Sequence, residues 1–170
     1  MVHFDVYGPK DVETLGGNKY FVIFIDDATK KVWIYLVRSN DQVFQYFIQF
    51  HAMVRRETRR KLKCLRSDNE SEYTSREFET YCTKNGIKHE KTIPGTPQHN
   101  GVAKRMDRTI IERVRFILKI AKLSKAFWGE ATQTAYYLIN RSPLSPLNFE
   151  VLEKTWLGKN VSYSHLKVFR

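Results

Sequence analysis

The chain has 170 residues, 42% of them hydrophobic, and carries 29 Lys and Arg against 18 Asp and Glu, a formal net charge of +11. That apolar content excludes a disordered chain and is enough for one domain with a sizeable core, while the charge favours a polyanionic partner. No apolar run reaches the roughly 20 residues of a membrane span, and Met1-Val2-His3-Phe4-Asp5 lacks the basic-then-apolar order of a signal peptide.

Residues 2–7 alternate as a strand does, and residues 19–25 form a near-continuous apolar run, the pattern of a buried strand. Asp26-Asp27-Ala28-Thr29-Lys30 is turn material, and residues 31–37 read as a third strand. The turn is short, so strands two and three should pair antiparallel. Asn40 or Ser39 caps a helix whose Val43, Phe44, Phe47, Phe50 and Val54 recur at helical spacing, and which dissolves into the basic stretch at residues 55–60. Residues 61–66 read as a fourth strand leading to Asp68. Ser75 caps a helix to about Lys84, with Phe78, Tyr81 and Cys82 inward and Asn85-Gly86 as its stop. Residues 87–93 are a fifth strand.

Pro94-Gly95-Thr96-Pro97 breaks that strand and opens a loop through Asn100. Residues 101–121 form a helix with Ile110, Val114, Ile117 and Ala121 on one face. Ser124 caps a last helix to about Asn140, with Phe127, Ala131, Ala135 and Leu138 inward, ended by Ser142-Pro143. The order βββαβαβαα predicts one α/β core over residues 1–141, a five-stranded mixed sheet with helices on both faces. Residues 142–170 have no clear period and are expected to be an extension or linker of that core. Cys64 and Cys82 lack a paired metal spacing and read as buried free thiols of an intracellular protein. If strand four lies parallel beside strand one, Asp5 and Asp68 come together near the carboxyl ends of strands, where open α/β sheets place their sites.

Three segments carry a more specific signal: His3-Phe4-Asp5-Val6-Tyr7-Gly8-Pro9, Leu65-Arg66-Ser67-Asp68-Asn69, and Thr96-Pro97-Gln98-His99-Asn100-Gly101-Val102-Ala103-Lys104-Arg105. With Phe127-Trp128-Gly129-Glu130-Ala131, Tyr137-Leu138-Ile139-Asn140-Arg141-Ser142-Pro143 and Ser164-His165-Leu166-Lys167-Val168-Phe169, they resemble the catalytic core of a retrotransposon integrase of the copia type. The resemblance implies a ribonuclease H-like fold and DNA integration, the metal-dependent strand transfer of element ends into target DNA. It implies a centre of two Mg²⁺ (or Mn²⁺) ions held by Asp, Asp and Glu, the last two separated by 35 residues. Asp5 and Asp68 match the aspartates and are the expected metal ligands.

Lys104 stands where the Glu belongs. Reversing a charge at about 4 Å is worth roughly 4 kcal/mol each way at an effective dielectric near 20. A lysine there should repel a metal and pair with Asp5 and Asp68 in its stead. Strand transfer is therefore expected to be impaired or absent, and the alternative is a catalytically dead nucleic-acid-binding domain. A ribonuclease H-type nuclease fits less well, because the segment around Gln98 to Ala103 resembles integrases. Asp107 or Glu72 could stand in for the missing acid, although Asp107 reads first as a solvated helix acid. Glu70 and Ser71 replace two glycines usual in the family, and Asp107 a common Asn; such departures at one site fit an element copy decaying without selection.

The resemblance places DNA contacts on Gln98, His99 and Asn100, short polar groups suited to phosphates and base edges. Lys104, Arg105 and Arg108, on the first turns of the following helix, could reach phosphates, with a solvated helix face as the alternative for Arg108. No role is assigned to His3, His51, His89 or His165. The family also implies a homo-oligomer, further domains of a polyprotein including an N-terminal zinc-binding module, and a nuclear site of action.

Overall fold

β1 (Val2–Tyr7), β2 (Tyr20–Asp26) and β3 (Val32–Val37) form the antiparallel meander that the short turn requires. Asp26 makes that turn: its Oδ2 accepts from the amide and the hydroxyl of Thr29, both at 2.9 Å. β4 (Cys64–Ser67) lies parallel to β1, and β5 (Lys88–Lys91) parallel to β4, so the sheet order is β3-β2-β1-β4-β5. This is a computed structural model; the residues it describes are 1–68, 75–92, 101–144, 150–164 and 166.

β2 is buried on both faces, which accounts for its unbroken apolar run. Val22 and Phe24 face one core with Phe4, Phe47, Phe50 and Phe78. There α1 (Val43–Thr58) and α2 (Arg76–Lys84) cover the sheet, and Phe24 stacks on Phe50 at 4.2 Å between ring centroids. Phe21, Ile23 and Ile25 face the second core, closed by α3 (Gly101–Ile120) and α4 (Trp128–Asn140). Among the described helices none is long and apolar enough to cross a membrane.

Several expected boundaries shift. Strand four starts at Cys64, because residues 61–63 are the basic crossing from α1 and hold only Leu62 inward. Ser75 caps α2 as expected, its hydroxyl accepting from the Phe78 amide at 3.2 Å. Neither Ser39 nor Ser124 makes such a bond. Each precedes a single 3-10 turn, Asn40–Gln42 and Lys125–Phe127, which delays α1 and α4 by three residues. The inward face of α4 is Trp128, Ala131, Ala135 and Ile139, one residue on from Phe127 and Leu138. Trp128 sets it: its indole donates to the Val12 carbonyl at 2.8 Å. Gly129 lets the helix close on the β1–β2 link, since a Cβ there would meet Thr14 Cγ2 at 2.7 Å.

The described residues of the stretch after α4 include a segment that packs on the sheet. Pro143–Leu144 and Glu150–Val151 pair as β6 and β7, and α5 (Leu152–Leu157) follows. Leu152 is fully buried, Lys31 meets Glu153 at 3.2 Å, and Trp156 crosses Trp33 edge-on at 4.8 Å. Six residues are too few to display a helical period, so the helix left no pattern in the sequence.

Candidate active site

The parallel register Val2↔Leu65 and His3↔Arg66, carried three residues along, brings Asp5 level with Asp68 just beyond β4. Asp5 is 5% exposed and its Oδ1 accepts from the Val6 amide at 3.0 Å. α3 runs past this point. Lys104, on its first turn, places Nζ 3.7 Å from Asp68 Oδ2. Asp5, Asp68 and Lys104 thus meet as the sequence suggested.

Asp107 corrects the reading of a solvated helix acid. It is 7% exposed, hydrogen-bonds with Asp5, and leaves Oδ1 buried without a partner among the described residues. Burial, then the charge of Asp5, pushes its carboxyl up to about 9. Burial, then the charge of Asp68, pushes Asp5 up to about 6. Two neighbouring buried carboxyls cannot both ionise freely, so near pH 7 Asp107 keeps a proton and Asp5 carries the negative charge. A signal for this was present: Ala103, Asp107, Ile110 and Val114 are the buried residues of α3, and continuing the Ile110–Val114 face one turn back reaches Asp107.

These groups border an open cleft of about 800 Å³, whose other wall is the start of the β1–β2 link, including Gly8 and Lys10. Lys104, Arg108 and Arg115 line it from one face of α3. Lys10 approaches from the other side with Nζ 4.3 Å above the Tyr7 ring. Burial, then the neighbouring Arg115, holds the Lys10 ammonium below its ordinary value. Neither Lys10 nor Arg115 was singled out from sequence, although helical spacing from Lys104 marks Arg115. Arg105 is exposed and does not line the cleft. Gln98, His99 and Asn100 lie outside the described residues, as do Glu70, Ser71, Glu72 and His165.

His89 has a part that sequence did not assign. Ser67 Oγ lies 2.9 Å from both the Asp68 carbonyl and His89 Nε2. His89 Nδ1 meets Glu79 Oε1 at 3.0 Å, and Lys91 holds the same Glu79 oxygen at 2.6 Å. Burial outweighs Glu79 and lowers the His89 pKa, so the ring is neutral near pH 7. A neutral ring that donates Nδ1–H to Glu79 accepts the single Ser67 hydroxyl proton at Nε2, which ties α2 and β5 to the last residue of β4, next to Asp68.

Part of the donor set suits a divalent centre. Three carboxyls converge, and Asp107 Oδ1 has no partner among the described residues. Against this, an ammonium sits beside Asp68, and among the described residues no three His, Cys, Asp or Glu groups are arranged to hold a metal ion. The described residues do not fit a two-ion site.

Residues 2–97 match the family described as Integrase core domain. The chain is 67% identical over 169 residues to the retrovirus-related Pol polyprotein from transposon TNT 1-94 of Nicotiana tabacum, covering 99% of this chain and 13% of that protein. It therefore spans about an eighth of that relative. In fold it resembles a chain of the simian T-cell lymphotropic virus intasome in complex with PP2A regulatory subunit B56 gamma, with a TM-score of 0.71 at 14% identity, covering 99% of this chain and 57% of that one. It also resembles the HTLV-2 integrase catalytic core domain in complex with magnesium (trimeric form), with a TM-score of 0.66 at 17% identity, covering 91% and 94%.

Proposed function

The chain belongs to the integrase core domain family, in its copia-type retrotransposon branch, and from that premise we propose a DNA-binding core whose strand-transfer chemistry is impaired by Lys104. The observation that carries this is the Lys104 ammonium 3.7 Å from Asp68 Oδ2. A cation supplied by the chain occupies the surroundings of a carboxylate that the family uses for Mg²⁺. With Asp107 holding a proton, Asp5 and Asp68 contribute two negative charges and Lys104 offsets one. With the third carboxylate of the family also missing at position 104, few ligands remain for a divalent cation.

The residues suit the other half of the family's task. Lys104 and Arg108 face the cleft and would hold phosphates of a DNA end, with Lys10 and Arg115 extending the same track. Gln98, His99 and Asn100, just before α3 in the chain, would add base-edge contacts, and the exposed Arg105 a phosphate outside the cleft. By analogy with its relatives, the domain would work as a homo-oligomer beside other domains of a Pol polyprotein, on DNA in the nucleus. The second reading, a domain that only binds nucleic acid, is the limit in which Lys104 abolishes metal binding altogether.

Thermal unfolding in rising Mg²⁺ or Mn²⁺ tests the proposal, because a ligand bound only by the folded state raises the melting temperature. The chain as it stands should show no shift up to millimolar metal. Lys104→Glu should gain a shift together with strand joining. Equal joining before and after that substitution, or a shift in the unaltered chain that Asp68→Asn abolishes, would overturn it.

A further inference from the structure

The densest positive charge lies away from the cleft. Between residues 55 and 63 there are six cations, Arg55, Arg56, Arg59, Arg60, Lys61 and Lys63, and one acid, Glu57, a net +5 of the chain's +11. All six are exposed, and none has an ion-pair partner among the described residues. Glu57 is engaged elsewhere, accepting from the Trp156 indole at 3.0 Å.

The fold holds this stretch in a fixed shape. Arg55 and Arg56 lie on the last turn of α1, and Arg59 ends that helix in the left-handed region at φ 55°, its amide bonded to the Arg55 carbonyl at 3.0 Å. Leu62 is buried in the same core as Val54, and the Lys63 carbonyl accepts from the Lys88 amide at 2.9 Å. A helix C-terminus carries about half a negative charge, which one or two cations would satisfy. A net five is far more than that role requires. Beside it opens a cleft of about 410 Å³ between α1 and the end of α2, lined by His51, Arg55, Arg56, Tyr81 and Asn85.

We infer that this corner is a second duplex-DNA surface that binds phosphates without reading sequence. It precedes the first residue of β4, whereas Asp68 follows the last. The corner and the catalytic cleft therefore sit at opposite ends of that strand, about 13 Å apart along it at the usual rise per residue. Joining two DNAs requires holding both, and one surface at each end of the strand provides for that. Apart from its cations the corner offers little to read base edges: the Asn85 amide beside it donates to the Tyr81 carbonyl at 2.9 Å, and the Thr58 hydroxyl to the Val54 carbonyl at 2.8 Å. An importin-type receptor reads an extended peptide, and a segment fixed by a helix end and a buried leucine does not offer one.

The inference rests on the DNA-binding reading above, and its test separates the two. The 170-residue chain is titrated with two short duplexes of unrelated sequence over a range of salt. Arg59→Ala, Arg60→Ala and Lys61→Ala combined should weaken both duplexes alike and flatten the salt dependence by about 0.9 for each phosphate no longer neutralised. Its melting temperature should not move, since the three side chains are exposed. Arg108→Ala serves as the cleft arm, and its effect should multiply with that of the triple variant if the two surfaces are independent. A triple variant that binds as the parent does, while Arg108→Ala weakens binding, overturns the second surface and leaves the cleft reading intact. No effect of either variant overturns both. Polyglutamate that displaces duplex from the corner at equal charge concentration would mark a general polyanion patch and also overturn the inference.

Discussion

The charged groups of the site come from two supports, and the supports treat them differently. Asp5 and Asp68 are carried by the parallel pair β1 and β4, fixed by strand register and, at Asp68, by the Ser67–His89–Glu79 chain of bonds. Lys104 and Asp107 are carried by one helix less than a turn apart, yet the Lys104 side chain is 56% exposed and Asp107 is 7% exposed. A sheet presents its acids at one depth. A helix lying across the sheet sends one residue to the lip of the cleft and the next to its floor. An acid at position 104 would reach inward from the lip with a long side chain. Asp107, short and already on the floor, keeps a proton and bonds to Asp5 instead.

The largest effect that would break this comparison is expected at Asp107. Unfolded, its carboxyl ionises near 3.8; folded, it holds its proton up to about 9. The unfolded chain therefore binds fewer protons between those values, and stability falls as pH rises through that window. The contribution is fully present below the lower value and lost above the upper one. Asp107→Asn, which stays neutral, should flatten the decline and stabilise the domain above pH 8 by several kcal/mol, each pH unit between the two values being worth about 1.4 kcal/mol. Urea unfolding at several pH values measures it. A variant whose pH profile matches the parent's would return Asp107 to the solvent and make the two supports equivalent.

A smaller effect is expected on the strand side. Ser67→Ala removes a hydroxyl that lies 2.9 Å from both His89 Nε2 and the Asp68 carbonyl, leaving a buried ring nitrogen unpaired. The cost should be about 1–2 kcal/mol, and amide exchange should rise in β4 and β5 ahead of the rest of the sheet. Uniform exchange across all five strands would mean that the bonds stabilise the domain without positioning Asp68.

These two cases show where sequence patterns reach their end. The sequence brings Asp5 and Asp68 together only on the condition that strand four lies parallel beside strand one, and the observed register meets that condition. The same logic recovered the meander, the Ser75 cap and both apolar faces of β2. Asp107 escaped because a polar letter on a helix is ordinarily solvated; the apolar stripe through Ile110 and Val114 pointed to it but names no depth. His89 escaped because its partners Ser67 and Glu79 are 22 and 10 residues away and meet it only through β4–β5 pairing. The roughly 4 kcal/mol expected for reversing the charge at 104 presumes a site sheltered from water. The exposure of Lys104 removes most of that, since screened pairs are worth about 0–1 kcal/mol.

The smallest effect is expected at Lys104 itself. Lys104→Met keeps the side-chain length and deletes the charge, so it asks whether the ammonium is a structural counter-ion for Asp68 or a resident of the lip. With water around Lys104 and a separation of 3.7 Å, the domain's stability should change by less than about 1 kcal/mol. Duplex binding should lose about one unit of salt slope, as for any single phosphate-binding cation. A stability loss above about 3 kcal/mol, the cost of stranding a buried charge, would place the pair in the interior and make Lys104 a support of the fold. A near-neutral result leaves position 104 free to accept an acid without unfolding the sheet beneath it, and the metal response of Lys104→Glu then reports on chemistry alone.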